Sequence, residues 1–370
     1  MVKLVQFIHG FNMGGAETLV KDYCLGIDPN EVDLSVLCLE HRESGYEEIL
    51  SDAGVKVTYL CDELLLPESR NVFVRLINRF YRIYRLKKYF SRVNPDVVHT
   101  HLAQNKYLYL AGLKKNVGII YTHHYSVDIW KKEGKKDLKY AQKLFAKHKM
   151  KIIALNQNMK KELAELFPIK DIEVINNGVF REKFSMCIDK EKERKEIGIP
   201  TDSFLLGHVG RFCKAKNHDF LLEIFREIKK VNVKAKLLLI GTGETLPLIQ
   251  KKIHKLKIDK DVLILENRKD IPMLMSAMDL LIFPSIYEGM PVTLIEAQFA
   301  KLPCIVSDRV DTRIKISNLV KFISLNCSAE EWAKQAMNFN VTNVEYYNAE
   351  EWDMNKIIKK LQLLYEEVSV

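Results

Sequence analysis

Glu288 and Glu296 stand eight residues apart in FPSIYEGMPVTLIEA, across a glycine-containing loop and the start of an apolar, helix-forming run. An ionised carboxylate accepts two hydrogen bonds side by side, which suits vicinal hydroxyls. Leu280-Leu281-Ile282-Phe283 reads as a buried parallel strand stopped by Pro284. From about Pro291 the pattern turns helical, so Gly289, Met290, Pro291, Val292 and Thr293 lie where a helix begins and amides can point at an anion. Glu288 then sits on the loop and Glu296 roughly two turns below it. Surface glutamate is so common that the pair alone passes for two solvated side chains; the rest of the chain decides.

Positive charge complements the two carboxylates. GHVGRFCKAKNHDFLL ends a strand at Gly210, then presents Arg211 and, five residues on, Lys216 ahead of a helix beginning near Asn217. Arginine through its planar fork and lysine as a point charge would together meet a diphosphate. Two further turns place glycine between a strand and a helix: Gly14-Gly15 after KLVQFIH, and Gly241 and Gly243 in LLLIGTGETL. Glycine lets backbone approach a ligand closely, and a helix N-terminus favours an anion. The Gly14-Gly15 turn is not GxGxxG, and packing explains it equally well.

These groups need a scaffold. With 370 residues the chain exceeds one ordinary core, which points to two domains with a cleft between them. Its 47% hydrophobic content is that of a folded soluble protein. No apolar run reaches the length of a membrane helix, and the opening MVKLVQFIHGFNMGG breaks at His9-Gly10, too early for a signal peptide, so a cytoplasmic location is expected. The seven cysteines, Cys24, Cys38, Cys61, Cys187, Cys213, Cys304 and Cys327, are odd in number and lack a CxxC pair. They read as reduced thiols, with neither a disulfide framework nor a zinc site.

The net charge of +9 is uneven: residues 1–185 hold 29 Lys+Arg against 22 Asp+Glu, leaving 28 against 26 for the remainder. Residues 71–93, NVFVRLINRFYRIYRLKKYFSRV, contain no acid, and 130–151 are rich in lysine. In the first stretch Phe73, Leu76, Ile77, Phe80, Ile83 and Tyr84 recur at helical spacing among Arg75, Arg79, Arg82, Arg85, Lys87 and Lys88. Such a helix either buries one face in its domain or lies on an anionic membrane. The absence of acid favours the membrane, giving an expected peripheral contact at the inner face of the cell membrane.

Short β-rich runs alternate with helical patterns throughout, the signature of stacked βαβ units. KLVQFIH, DLSVLCL, VKVTYL, DVVHTH, GIIYTHH, KIIALN and IEVINNG read as strands of the first half. SFLLGHVGRF, AKLLLIGTG, VLILE, DLLIFPS, PCIVSD and VKFISL read as those of the second. Helices are predicted at 15–26, 157–167, 217–231, 245–257, 271–277 and 292–301. The expected division is an N-terminal Rossmann-like domain over 1–182, a second over 183–352, and a C-terminal helix over 353–370 packing back onto the first, with charge-dense REKFSMCIDKEKERKEIGIP as the linker.

GGAE (14–17), INNGV followed by Phe184 (175–184), GRFCKAKN (210–217), IGTGE (240–244), PSIYEGMPVTLIEA (284–297) and LPCIVSD (302–308) together resemble a retaining glycosyltransferase of the GT-B fold. More narrowly, the chain is similar to family 4 of those enzymes, of the bacterial cell-surface or capsular polysaccharide type. The resemblance implies an α/β architecture of two facing Rossmann-like domains with parallel sheets and a central cleft. The second domain would hold the nucleotide-sugar donor and the first the acceptor. By the same resemblance Arg211 and Lys216 neutralise the departing diphosphate, Glu296 accepts the ribose hydroxyls, and Glu288 the sugar hydroxyls beside the anomeric carbon. Gly14, Gly15, Gly243 and residues Gly289 to Thr293 line the donor. YTHHYS resembles the family's Thr-x-His and assigns His124 to the sugar, with His123 adjacent should the register differ by one. Lys301 replaces the glycine common after the second glutamate's helix, and Asn156 a common serine.

No convincing Asp-x-Asp pair occurs to carry a divalent metal, and neither metal nor cofactor is expected beyond the nucleotide-sugar co-substrate. The expected reaction is retaining transfer of a hexose or N-acetylhexosamine from a UDP-sugar to a glycan or lipid-linked acceptor in cell-surface polysaccharide synthesis. A GT-B-fold UDP-sugar 2-epimerase is the alternative enzyme. A basic nucleic-acid-binding protein is the alternative from another class, disfavoured because no nucleic-acid motif occurs.

Overall fold

Buried β-rich runs joined by amphipathic helices form parallel sheets because only covered sheets satisfy strands that are apolar on both faces. The computed structural model contains two such sheets and describes residues 1–369 apart from 13, 63–64, 68–70, 187 and 289. In the first unit the strands are β1 (Val2–Ile8), β2 (Val32–Cys38), β3 (Lys56–Tyr59), β4 (Val97–His101), β5 (Gly118–Thr122), β6 (Met150–Ala154) and β7 (Ile172–Val174). They lie in the order β3-β2-β1-β4-β5-β6-β7, every neighbour parallel. In the second unit β8 (Phe204–Val209), β9 (Ala235–Ile240), β10 (Val262–Leu265), β11 (Leu280–Phe283), β12 (Cys304–Ser307) and β13 (Val320–Ile323) lie in the order β10-β9-β8-β11-β12-β13, again all parallel.

The first unit comprises Met1–Gly178 and Met354–Val370, the second Val179–Asp353. The stretch read as a linker is therefore part of the second unit, folded as helices Arg181–Phe184 and Lys190–Glu196. Charge density misled because one of its bases is buried. Arg194 donates to the carbonyls of Ala277, Thr201 and Ser203 and pairs with Asp279 at 2.6 Å. Asp279 also accepts from Leu205 N and from Lys190 Nζ, both at 2.7 Å. A guanidinium out of water needs this many acceptors.

The C-terminal helix Met354–Ser369 buries Met354, Ile357, Ile358, Leu361, Leu364, Tyr365 and Val368 against the first unit. Its last turn passes so close to β5 that a Cβ on Gly118 would lie 2.2 Å from the Val368 carbonyl oxygen. Helix Val72–Val93 behaves differently along its length. Leu86, Tyr89 and Phe90 pack into the core, whereas Val72, Phe73, Leu76, Ile77, Phe80 and Tyr84 are exposed. The predicted helix 157–167 stops at Leu163, and the lysine-rich 130–151 divides into helices Val127–Lys132 and Lys135–Phe145. No helix among the described residues is long and apolar enough to cross a membrane. Cys24, Cys38, Cys61, Cys213, Cys304 and Cys327 are free thiols. Burial pushes those of Cys24, Cys38 and Cys304 up, which makes them unreactive. Cys187 lies outside the described residues.

Candidate active site

In each sheet the strand order reverses sense once, between β8 and β11 and between β1 and β4. Connections leaving those adjacent strands go to opposite faces and open a crevice at their carboxyl ends, the usual ligand position in such sheets. In the second unit the two flanking loops are those that carry Arg211, Lys216 and Glu288.

After β8 the backbone passes Gly210 and Arg211, makes a 3₁₀ turn over Lys214–Lys216, and puts Asn217 at φ 57°, ψ 41° before helix His218–Val231. Asparagine tolerates this left-handed conformation because its short polar side chain bonds locally. Here Asn217 Nδ2 donates to the Pro284 carbonyl at 3.1 Å, and Ile286 N donates to the Ala215 carbonyl at 2.8 Å. The two loops are thereby tied together, and Lys216 Nζ reaches Glu288 Oε1 at 2.7 Å. The side chains are only 15% and 12% exposed. Oε1 accepts no aligned hydrogen bond, so the contact is a close ion pair with acceptor capacity to spare. Lys216 Nζ also stands 4.6 Å from the centre of the Phe283 ring. Arg211 is exposed.

Glu296 lies, partly buried, in the second turn of helix Val292–Phe299, whose N-cap is Pro291. This removes one donor expected from sequence: Pro291 has no N–H, and Leu294 N is already bonded to the Pro291 carbonyl at 3.1 Å. Val292 and Thr293 bring their amides to the helix start beside Met290. Gly289 lies outside the described residues. Gly241 and Gly243 answer to packing. A Cβ on Gly241 (φ +149°) would meet the Gly210 oxygen at 2.1 Å, and one on Gly243 (φ +154°) the Phe212 oxygen at 2.3 Å. The turn stacks on the Arg211 loop, with Phe212 N donating to the Thr242 carbonyl at 2.8 Å.

Beneath that loop are two histidines that the motifs did not single out. His208 donates from Nδ1 to the Ile282 carbonyl at 2.9 Å, leaving Nε2 as an unpartnered buried acceptor. His218 stacks on Phe212 at 4.3 Å, and burial pushes its pKa down to about 4.

In the first unit Gly14 caps helix Gly15–Gly26 without a side-chain bond. A Cβ on Gly14 would lie 2.5 Å from Glu17 Oε2, whereas Gly15 faces open space. Burial raises the Glu17 carboxyl, and its own backbone amide and His9 oppose that rise. An anion arriving here would meet this carboxylate. His123 and His124 point into different surroundings. His123 is fully buried, bonded through Nδ1 to the Tyr121 hydroxyl at 3.0 Å and packed 4.6 Å from Trp130. His124 is partly exposed, with Nε2 3.1 Å from His101 Nδ1. Burial pushes its pKa down to about 3, so the ring is neutral at pH 7.

Residues 189–339 match the model of the family described as Glycosyl transferases group 1, and residues 13–183 that of Glycosyltransferase Family 4. The UDP-Gal:alpha-D-GlcNAc-diphosphoundecaprenol alpha-1,3-galactosyltransferase of Escherichia coli is 31% identical over 298 residues, 76% of this chain and 73% of that protein. The chain belongs to glycosyltransferase family 4, group 1. The putative glycosyltransferase EpsF of Bacillus subtilis is 27% identical over 352 residues, 90% of this chain and 86% of its own. The crystal structure of HepE from Anabaena, in complex with UDP and glucose, superposes with a TM-score of 0.71 at 16% identity, covering 100% of this chain and 95% of that one. The fold of this glycosyltransferase is accordingly of the GT-B type.

The missed residues had a signal. DVVHTH alternates histidine with small residues inside a strand otherwise apolar, so His99 and His101 share one face at the carboxyl end of β4. Polar residues at period two in a doubly covered strand need partners. Those partners proved to include Gln6, Thr122 and Tyr365.

Proposed function

We propose that this glycosyltransferase moves a hexose or N-acetylhexosamine from a UDP-sugar to a lipid-linked glycan acceptor, as in cell-surface polysaccharide assembly, with retention at the anomeric carbon and without a metal. The ion pair of Lys216 and Glu288 at the carboxyl ends of β8 and β11, beside exposed Arg211, carries this reading. A diphosphate carries enough negative charge to draw Lys216 and Arg211 to itself, supplying the charge that a metal supplies elsewhere. Glu288 is then released to accept sugar hydroxyls, the amides of Met290, Val292 and Thr293 line the sugar and phosphate, and Glu296 takes the ribose hydroxyls. His124, neutral, meets a sugar hydroxyl. The printed substrates of the E. coli relative and the ligands of HepE favour UDP, and the diphosphoundecaprenol of the former favours a lipid-linked acceptor.

The first unit is suited to reach such an acceptor at an anionic bilayer. Helix Val72–Val93 turns Phe73, Leu76, Ile77, Phe80 and Tyr84 outward beside exposed Arg75, Arg79, Lys87 and Lys88. That is an apolar face with a basic flank. The decisive experiment incubates the protein with a panel of UDP-sugars and a lipid-diphosphate sugar acceptor in EDTA, following UDP release and the anomeric proton of the product by NMR. UDP release that requires acceptor, with an α-linked product, is expected. Interconversion of the UDP-sugar without acceptor would instead indicate an epimerase and overturn the proposal.

A further inference from the structure

We infer that Tyr365, on the C-terminal helix, is a positioning residue for His124: through Gln6 and His101, its hydroxyl fixes which ring nitrogen of His124 carries the proton. This rests on the reading above that His124 meets a sugar hydroxyl.

The connection is continuous, and buried from Tyr365 as far as His101. Gln6 Nε2 donates to the Tyr365 hydroxyl at 3.1 Å, Gln6 Oε1 lies 2.7 Å from His101 Nε2, and His101 Nδ1 lies 3.1 Å from His124 Nε2. Gln6, His101 and Tyr365 are all 0% exposed, so water does not compete for the bonds among these three. Each proton then follows from the one before it. Gln6 Oε1 can only accept, so His101 Nε2 carries the hydrogen and His101 Nδ1 is bare. A bare Nδ1 must receive the His124 Nε2–H. The remaining nitrogen, His124 Nδ1, is thereby a lone-pair acceptor, suited to take the proton side of a hydrogen bond from a sugar hydroxyl.

Tyr365 is anchored at its other side as well. Having accepted from Gln6, its hydroxyl gives its own proton to His99 Nδ1 at 2.8 Å, and His99 Nε2 donates to Thr122 Oγ1 at 2.7 Å. The carboxamide of Gln6 is the hinge of the whole arrangement, because it must donate at one end and accept at the other. Without the phenol oxygen, its NH₂ group would be buried against nothing. An orphaned N–H is tolerated less well than an orphaned carbonyl, so the amide turns over. Turning it reverses every later bond: His101 carries its proton on Nδ1 and gives it to His124 Nε2. His124 is then protonated on Nδ1 and presents a donor where an acceptor is needed.

The test is Tyr365→Phe in the full chain, which keeps the ring and removes one oxygen. Selective ¹⁵N labelling of histidine reads the tautomer of His124, and transfer kinetics with saturating acceptor read its consequence. The expected result is a change of His124 from Nε2–H to Nδ1–H, a fall in kcat of about tenfold or more, and a donor KM within about twofold of the parent. Adding His124→Ala to Tyr365→Phe should cost nothing beyond His124→Ala alone, since the two act through one group. Leu364→Ala, which loosens the same helix without touching the hydrogen-bond chain, should lower Tm but leave the tautomer alone. If Tyr365→Phe folds poorly, Gln6→Met severs the chain with little change in volume and should give the same tautomer and rate. Normal transfer by His124→Ala would overturn the reading of the site itself. An impaired His124→Ala together with a Tyr365→Phe that keeps the Nε2–H tautomer and the parental kcat would overturn this inference alone.

Discussion

Lys216 and Glu288 are held together before any substrate arrives, and that has a measurable cost. Two mostly buried charges lose hydration, which their attraction only partly restores. Removing one leaves the other uncompensated. Lys216→Met should therefore lower Tm more than the double variant Lys216→Met, Glu288→Gln, a comparison that thermal melts decide; equal Tm values would mean the pair is not coupled. Catalysis should respond the other way. Each single change removes a group the proposed transition state uses, so kcat should fall about 10²–10³-fold in UDP-release assays, with no recovery in the double variant. Arg211 is exposed and carries no such structural duty, so Arg211→Ala should cut transfer while leaving Tm within experimental scatter. The charges at this site were legible in the sequence because Arg-x4-Lys and Glu-x7-Glu each follow a strand. Their pairing was not, since it depends on Asn217 and Ile286 bonding across two loops separated by more than sixty residues.

At the level of elements, the glycine turn after β9 shows how a conformation can be fixed by a neighbour. Gly241 and Gly243 sit at positive φ with backbone oxygens of Gly210 and Phe212 where a Cβ would go. Gly243→Ala combines backbone strain with overpacking and should destabilise the second unit by about 2–5 kcal/mol in denaturant titrations. A cost under about 1 kcal/mol would show that the two loops are free to part. Helix Val72–Val93 makes a separate prediction. Gln in place of Arg75, Arg79, Lys87 and Lys88 together should lower partition onto anionic vesicles by about 1 kcal/mol per base at low salt. Phe73→Ser with Phe80→Ser should weaken it at any salt, and partition unchanged by either set would refute the membrane contact. All thirteen strands among the described residues can be seen in the sequence because parallel strands covered on both faces read as short apolar runs. The helices at Arg181–Phe184 and Lys190–Glu196 cannot, since they carry few apolar residues and the second is held by its one buried arginine, Arg194. Likewise the outward apolar face of Val72–Val93 has the same periodicity as an inward one, so only the fold distinguishes them.

For the molecule as a whole, buried histidine governs the response to acid. Burial holds His123 and His218 at about 4 and His124 at about 3, and keeps His99, His101 and His208 well below the ordinary imidazole range. An unfolded chain protonates histidine near pH 6.5, so from there down to about 4 the unfolded state binds protons that the native state does not. Native stability is thus fully present above pH 6.5 and falls as the pH drops, by up to about 1.4 kcal/mol per pH unit for each such group. Asp137 and Glu17 act in the opposite sense. Their raised carboxyls hold protons in the native state that the unfolded chain has released above about pH 4.5, which subtracts from the uptake. Burial lowers His148 as well, so among the described residues seven histidines against two carboxyls leave a net uptake. Because five of these histidines belong to the first unit and two to the second, neither unit escapes it. Against a total of about 5–15 kcal/mol for a domain, this should bring on unfolding near pH 5. Calorimetry in buffers of different ionisation enthalpy at pH 5.5 should register more than about two protons taken up on unfolding. Uptake near zero would mean that these rings are already charged in the native protein. The hydrogen-bond chain from Tyr365 to His124 would then lack the neutral imidazoles it requires, so this measurement bears on the proposed positioning role as well as on stability.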